Sequence, residues 1–128
     1  MIDVDVPKVG LYSHACEVLP GSRLLFMGGR SGIGSDGHAA GLDVGTQYLQ
    51  AMENMGKVLA GAGMTYQNLV QLTTYLVDPD DVPLFYQARA PFYERTFPDG
   101  VYPPNTLLII DRLVHAELKI EIIGIAAA

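Results

Sequence analysis

Hydrophobic residues recur at a helical period in two segments of the chain. In the first, after Asp43, they fall at steps of three and four: Tyr48, Met52, Met55, Leu59 and Ala62. This spacing predicts an amphipathic helix, and Gly63 is a typical C-terminal stop. The second segment follows the turn DPDD and runs through Phe97 with similar spacing: Val82, Phe85, Arg89, Phe92 and Thr96. Pro91 lies inside this second helix and, because it lacks an N–H group, is expected to kink or split it.

Shorter apolar runs bounded by glycine, proline or aspartate predict β-strands. Asn68–Val77 is rich in β-branched and aromatic residues. Arg23–Gly29 is a short apolar run ended by glycines, and Leu11–Leu19 is expected to pair with it through the Pro-Gly turn between them. The last two strands are predicted in the segments NTLLIID, from Asn105, and ELKIEIIGIA, from Glu117.

The order of these elements is strand, strand, helix, strand, helix, strand, strand. It predicts an α+β fold in which both helices cover one face of a β-sheet. The opposite face then needs cover of its own. In a chain of 128 residues, a second subunit is a natural source of that cover.

The composition fits a single globular domain, residues 1–128. Hydrophobic residues make up 49% of the chain, yet no apolar run approaches the roughly 18 residues needed to span a bilayer. The first residues, MIDVDVPKVG, lack the basic start and the apolar core of a signal peptide. We therefore expect a cytoplasmic protein that does not bind membranes.

Charge and cysteine content narrow the classes of function. The formal net charge is −6, and the few lysines and arginines are scattered, which disfavours nucleic-acid binding because phosphates must be neutralised. The single cysteine, Cys16, excludes an intrachain disulfide and a cysteine-based zinc site. The three histidines show no metal-ligand spacing, so no metal site is predicted.

Five segments, in order and at matching spacing, resemble the YjgF/RidA family of reactive intermediate deaminases, also called L-PSP endoribonuclease-like proteins. GLYSHA, from Gly10, resembles the family's G-P-Y-S-Q-A, and FMGGR, from Phe26, stands where the family has a strand ending in S-G-Q. Gln50–Asp78 resembles the family's helix and the strand after it. YPPNT, from Tyr102, stands at the family's P-A-R-S/T, and KIEIIGIA, from Lys119, resembles its closing I-E-x-x-A-I-A.

The resemblance implies a chorismate-mutase-like fold and a homotrimer. The sheets of the trimer would line a central barrel, the helices would lie outside, and small-molecule ligands would bind in clefts between subunits. It also implies a hydrolase that deaminates small imines or enamines, such as 2-aminoacrylate, to a keto acid and ammonia. No metal or organic cofactor is implied.

Asn105 is a departure from the family pattern with consequences for the substrate. The family's deaminases carry an arginine at this position, which binds the substrate carboxylate through two parallel hydrogen bonds. Asparagine has no charge and cannot form that fork, although its amide can still donate a hydrogen bond. Pro103 and Pro104 fix the backbone just before it. We therefore expect 2-aminoacrylate to be a poor substrate.

The remaining candidate site residues are assigned by the same resemblance. Glu121 would be the catalytic residue, orienting or activating water as a general base, or else a polar strand residue bonded across the barrel. The N–H of Gly29 would face the ligand, and Tyr12 would close one wall of the cleft. Tyr86 stands where the deaminases have an asparagine. Arg30 replaces a glutamine and would either supply the missing positive charge or extend into solvent.

Other functions remain open beside the preferred deaminase. A trimer that binds or senses a small ligand without catalysis is favoured by Asn105, by Tyr86 and by Gly28, which stands in place of a family serine. An endoribonuclease, which the family label suggests, is disfavoured by the acidic charge. A catabolic enzyme is a further alternative, because some relatives act on ring-cleavage products such as 2-aminomuconate or in pyrimidine breakdown.

Overall fold

The computed structural model describes all 128 residues. Its elements are β1 (Leu24–Phe26), β2 (Arg30–Ser31), α1 (Val44–Gly61), β3 (Leu69–Leu76), α2 (Val82–Thr96), β4 (Asn105–Ile109) and β5 (Ile120–Ala127). Short 3₁₀ turns at Tyr66–Asn68 and Pro79–Asp81 lead into β3 and α2. Neither helix is long and apolar enough to cross a membrane.

All five strands form one mixed sheet. Its order is β1, β5, β3, β4, and the short β2 also pairs with β5. β5 runs antiparallel to β1, β2 and β3, whereas β3 and β4 are parallel. The parallel pair needs a crossover connection, which α2 provides. A mixed sheet with two helices is the α+β fold that the sequence predicts.

The two faces of the sheet differ sharply in burial. Along β5, residues alternate between buried positions, such as Ile120 and Ile122, and partly exposed ones, such as Glu121 and Ile123. The buried set packs with α1 and α2 in one hydrophobic core, so we call that side the helix-covered face. On the other side, the open face, nothing from the same chain covers the sheet: Phe26, in register with Ile125, is 69% exposed.

Helix α1 begins and ends as the sequence predicts. Its N-cap is Asp43, whose carboxylate accepts hydrogen bonds from the backbone N–H of Thr46 at 2.9 Å and from its hydroxyl at 3.0 Å. These hydrogen bonds lower the pKa of Asp43. Gly63, just after the helix, has a φ of 70° that suits glycine. The predicted apolar face is confirmed, and its fully buried members are Tyr48, Met52, Met55 and Leu59.

Helix α2 corrects the prediction of a split at Pro91. It is a single helix from Val82 to Thr96, with Pro91 inside it, so the proline does not split it. Pro91 lies on the exposed side of the helix. The carbonyl that loses its N–H partner is that of Gln87, which is also exposed, so water can replace the missing donor.

The N-terminal segment corrects a second prediction, that of a strand paired with β1. Leu11–Leu19 forms no strand beside β1; its one ladder contact is an isolated bridge between Ala15 and Ile2. β1 instead pairs with the end of β5, with Leu24 in register with Ala127. The polar groups of the segment are bonded elsewhere, for example the Ser13 N–H to the Tyr102 carbonyl at 3.2 Å. β5 also starts later than expected, at Ile120 rather than Glu117.

Candidate functional site

A cavity of about 390 Å³ lies between helix α2, strand β4 and the N-terminal segment. Its volume falls within the range of small-molecule sites. Three of the candidate residues line it: Tyr12, Tyr86 and Asn105. The other lining residues are Val9, Arg89, Thr106 and Leu107. We call it the α2–β4 cavity.

Asn105 reaches this cavity from the first position of β4. It lies in register with the buried Leu72 of β3, which places its side chain on the helix-covered face. Its carbonyl oxygen accepts a hydrogen bond from the Thr74 hydroxyl at 2.8 Å. This bond fixes the orientation of the amide and leaves its NH₂ group as a donor for the cavity.

Tyr12 forms part of the opposite wall, which the N-terminal segment builds. Its hydroxyl accepts a hydrogen bond from the Val9 N–H at 3.3 Å, and its carbonyl accepts one from Lys8 Nζ at 3.1 Å. Its ring meets that of His14 edge-on, with centroids 6.2 Å apart. His14 is itself tied to the start of the chain, because its backbone N–H donates to the Asp3 carboxylate at 3.1 Å. Local hydrogen bonds therefore hold the wall in place.

Arg89 is the cavity residue that sequence reasoning missed. It is only 3% exposed, and its Cζ lies 4.9 to 5.1 Å from the ring centroids of Phe85, Tyr86 and Tyr93. Burial raises the pKa of the Tyr93 phenol to about 12, an effect that the adjacent Arg89 opposes. The signal was present in the helical pattern, since Arg89 shares its apolar face with Phe85 and Phe92. A buried arginine is rare enough to mark a candidate site.

A second group of candidate residues lies on the other side of the sheet. Glu121 is in register with Ser31 of β2 and Tyr75 of β3, and its side chain projects on the open face. A Cβ atom on Gly29 would lie 2.6 Å from the Glu121 carboxyl carbon, so any other residue at position 29 would displace this carboxylate from its present position. The Gly29 N–H donates no hydrogen bond within the chain. We call this contact the Gly29–Glu121 pair.

Arg30 follows Gly29 in the sequence, but its side chain does not join the Gly29–Glu121 pair. Its Nε donates a hydrogen bond back to the Gly28 carbonyl at 3.1 Å. It lies in register with Ile122 rather than with Glu121, and it does not line the α2–β4 cavity. Within one chain, Arg89 is therefore the cation beside Asn105.

The structure thus divides the candidate residues between two places. Tyr12, Tyr86 and Asn105 lie together on the helix-covered side, whereas Gly29 and Glu121 lie on the open face. The sheet separates the two sets, so a single chain does not bring them into one site. No group of three or more histidine, cysteine, aspartate or glutamate side chains is arranged to hold a metal ion.

Comparison with known proteins identifies the family of this chain. The model of the family Endoribonuclease L-PSP matches residues 5–128. The chain belongs to this family. It is the YjgF/RidA, or Rid, family that the sequence motifs resemble, and the match confirms that resemblance over nearly the whole chain.

Individual Rid-family relatives agree with this assignment. A RutC family protein of Aquifex aeolicus is 30% identical over 131 residues, which cover 98% of this chain and 99% of the relative. The human 2-iminobutanoate/2-iminopropanoate deaminase is 30% identical over 91 residues, which cover 70% of this chain and 64% of the human enzyme. The last value means that about a third of the human protein lies outside the match.

Solved structures confirm the fold. The Rid-family protein YyfB of Yersinia pestis superposes with a TM-score of 0.83 at 29% identity, over 99% of this chain and 96% of YyfB. E. coli TdcF, solved with bound serine, gives a TM-score of 0.74 at 23% identity, over 94% of this chain and 91% of TdcF. At that lower identity, the likeness to TdcF shows the fold alone.

Proposed function

We propose that this Rid-family chain is a hydrolase that deaminates small imines or enamines. The observation that carries the proposal is the Gly29–Glu121 pair, in which a carboxylate stands beside a backbone N–H that has no partner in the chain. A carboxylate can accept a proton from water, and a neighbouring N–H can orient and polarise the substrate. The human relative named 2-iminobutanoate/2-iminopropanoate deaminase supports the same reaction.

The reaction needs one water and no other co-reactant. An enamine first takes a proton on carbon and releases one from nitrogen, which converts it to the imine without a net change of protons. Glu121 then accepts a proton as the water oxygen bonds to the imine carbon, and the proton is passed on to the nitrogen. This gives a carbinolamine, and Glu121 then takes the proton of its hydroxyl group and passes it to the amine nitrogen. The C–N bond breaks as the C=O bond forms, which yields a carbonyl compound and ammonia and leaves Glu121 as a carboxylate.

The proposal requires a second copy of the chain. Because the sheet separates the α2–β4 cavity from the Gly29–Glu121 pair, a complete site forms where the cavity of one subunit faces the pair of its neighbour. The open face offers apolar surface for such an assembly, since Leu24 is 52% and Phe26 is 69% exposed. We propose a closed homo-oligomer, and specifically the homotrimer implied by the family resemblance.

Ammonia release from freshly generated 2-iminopropanoate tests this function. We expect the wild-type protein to release ammonia faster than buffer, and Glu121→Gln to be at least about 100-fold slower, because general bases contribute roughly 10²–10⁴-fold. Glu94→Gln, which removes an exposed carboxylate on α2, is the matched control and should act like wild type. Equal rates for wild type and Glu121→Gln, or no release by either from a panel of small imines, would contradict the proposal.

Ligand binding without turnover is the alternative function. It is favoured by one observation: a single chain supplies all the residues that line the α2–β4 cavity described here, whereas Glu121 lies across the sheet from it. A ligand can therefore occupy the cavity without reaching the carboxylate. Calorimetric binding of a small ligand, together with no ammonia release, would support this alternative. RNA cleavage has no comparable support, because the net charge is −6.

A further inference from the structure

Arg89 is a buried cation without an acidic partner. It is 3% exposed, and the ion pairs of the chain involve only Lys8, His14 and Lys57 with their acidic partners. Arginine is almost never fully buried unless it is paired, because removing a charge from water is costly. The aromatic rings around Arg89 offset part of this cost through cation–π contacts, but they leave its N–H donors without a negative charge.

Three of the other four arginines differ from Arg89 in their hydrogen bonds. Arg23, Arg30 and Arg112 each donate to backbone carbonyls. Arg89 donates to no backbone carbonyl, and its acceptor in the core is the Tyr93 phenol, where its charge and a side-chain hydrogen bond oppose the rise in pKa that burial causes. The guanidinium also lines the α2–β4 cavity. The N–H donors that do not meet Tyr93 are therefore available to a molecule that enters the cavity.

The other polar groups of the cavity match this role. The amide NH₂ of Asn105 is a second donor, since its carbonyl is already bonded to Thr74. Hydroxyl groups come from Tyr12 and Tyr86, and no acidic side chain is among the lining residues. A cavity with one full positive charge, further donors and no negative charge is complementary to an anion.

We propose that Arg89 is the residue that binds the anionic group, a carboxylate, of a small ligand in the α2–β4 cavity. Its planar guanidinium can donate two parallel N–H bonds to a carboxylate, and the three rings hold it in place for that contact. The Asn105 amide adds one donor. This inference rests on the proposed function only for the identity of the ligand, since Arg89 would also bind a carboxylate that is never converted.

Binding of pyruvate, a carboxylate with the size of the proposed products, is the direct probe. We expect titration calorimetry to show that wild-type protein binds pyruvate and does not bind its methyl ester, which lacks the charge. Arg89→Met should weaken pyruvate binding by about 100-fold, because two hydrogen bonds to a charged group are lost. Arg89→Lys, which keeps the charge and loses the fork, should weaken it by about 10-fold.

Arg95→Met is the matched control. Arg95 lies on the same helix and over the ring of Phe92, with its Cζ 5.0 Å from the ring centroid, but it is exposed and outside the cavity. Pyruvate binding should therefore be unchanged. Methionine at position 89 fits an apolar cage, so we expect Arg89→Met to keep or raise the thermal midpoint. A purely structural arginine would give the opposite result, a lowered midpoint with unchanged pyruvate affinity.

Gly10→Ala tests the same contact without touching the charge. The added Cβ would lie 3.3 Å from Arg89 Nη2 and 3.6 Å from the Tyr86 hydroxyl. It would press on the guanidinium, so pyruvate affinity should fall several-fold while the fold persists. This variant keeps the proposal testable if Arg89→Met does not fold.

The inference and the proposed reaction can fail separately. If pyruvate binds through Arg89 but no imine is hydrolysed, the inference stands and the deaminase is wrong. If imines are hydrolysed and Arg89→Met leaves KM and kcat/KM unchanged for 2-iminopropanoate, the inference is wrong and the deaminase stands. Failure of wild-type protein to bind pyruvate, as when a neighbouring subunit's carboxylate already occupies Arg89, also overturns the inference.

Discussion

At the scale of single residues, the proposed hydrolysis depends on the close approach of Gly29 to Glu121. A side chain at position 29 would overlap the glutamate, since a Cβ atom there would lie 2.6 Å from its carboxyl carbon. Because the strand β5 fixes the backbone of Glu121, the side chain would have to rotate away from its present position. Such a displacement of a reacting group costs about 100-fold in rate.

We therefore predict that Gly29→Ala lowers imine hydrolysis by about 100-fold and leaves the thermal midpoint nearly unchanged. Gly28→Ala is the control, because its Cβ would make only an ordinary contact, 3.4 Å from Arg30 Nη2. Neither glycine has a positive φ, so backbone strain does not distinguish the two variants. Ammonia-release kinetics and thermal melts check both; full activity in Gly29→Ala would show that the position of Glu121 does not matter for the reaction.

The sequence indicated some of these residues and not others. Family motifs pointed to Tyr12, Gly29 and Glu121, but no pattern in the chain shows that the sheet separates Tyr12 from Glu121. Arg89 was visible as one member of a helical stripe. Its burial and its lack of a partner depend on the packing of α2 against β4 and the N-terminal segment, which a one-dimensional pattern does not contain.

At the scale of elements, helix α2 carries two unusual residues. Arg89 is buried, although arginine is rarely fully buried, and Pro91 lies inside the helix, where proline is usually excluded. The proline lies on the exposed side, two positions from the buried arginine. The helix persists because its other face is packed in the core, where Phe85, Phe92 and Tyr93 are buried. Tertiary packing therefore outweighs one missing backbone hydrogen bond.

Pro91→Ala should raise the free energy of unfolding by about 1–3 kcal/mol, because it restores a backbone donor in the helix interior. Pro83→Ala is the matched control in the same helix. Pro83 stands in the first turn, where an N–H has no intrahelical acceptor, so the change should lie within about 1 kcal/mol or be slightly destabilising.

Chemical denaturation at one fixed protein concentration compares the two variants with wild type. Fixed concentration matters because an assembled protein gains stability by mass action. If Pro91→Ala and Pro83→Ala lowered the free energy of unfolding equally, Pro91 would not destabilise helix α2.

Helices with a strong hydrophobic period could be predicted from the sequence, whereas strands whose position depends on pairing with a distant strand could not. The stripe from Tyr48 to Leu59, together with the Asp43 cap, is enough to place α1. Leu11–Leu19 was mistaken for a strand because local composition does not reveal that its N–H groups bond to Asp3, Ile2 and Tyr102. The short strands β1 and β2 gain their register from β5, nearly a hundred residues later in the chain.

At the scale of the whole molecule, the function that we propose divides the site between two places in each chain. In this proposal, the α2–β4 cavity provides an anion-binding half, and the Gly29–Glu121 pair provides a half that handles water. The sheet lies between them, and its open face carries exposed apolar residues such as Leu24 and Phe26. We expect each complete site to combine Arg89 of one subunit with Glu121 of its neighbour.

Mixed oligomers test this expectation most directly. Arg89→Met and Glu121→Gln chains, carrying different tags, are co-expressed, purified through both tags, and assayed for ammonia release from 2-iminopropanoate. Each variant alone should be nearly inactive. If each site takes its two halves from different subunits, every mixed trimer selected through both tags has one intact site of three, and activity should recover to about one third of wild type. Mixed oligomers as inactive as the separate variants would contradict a shared site built from Arg89 and Glu121.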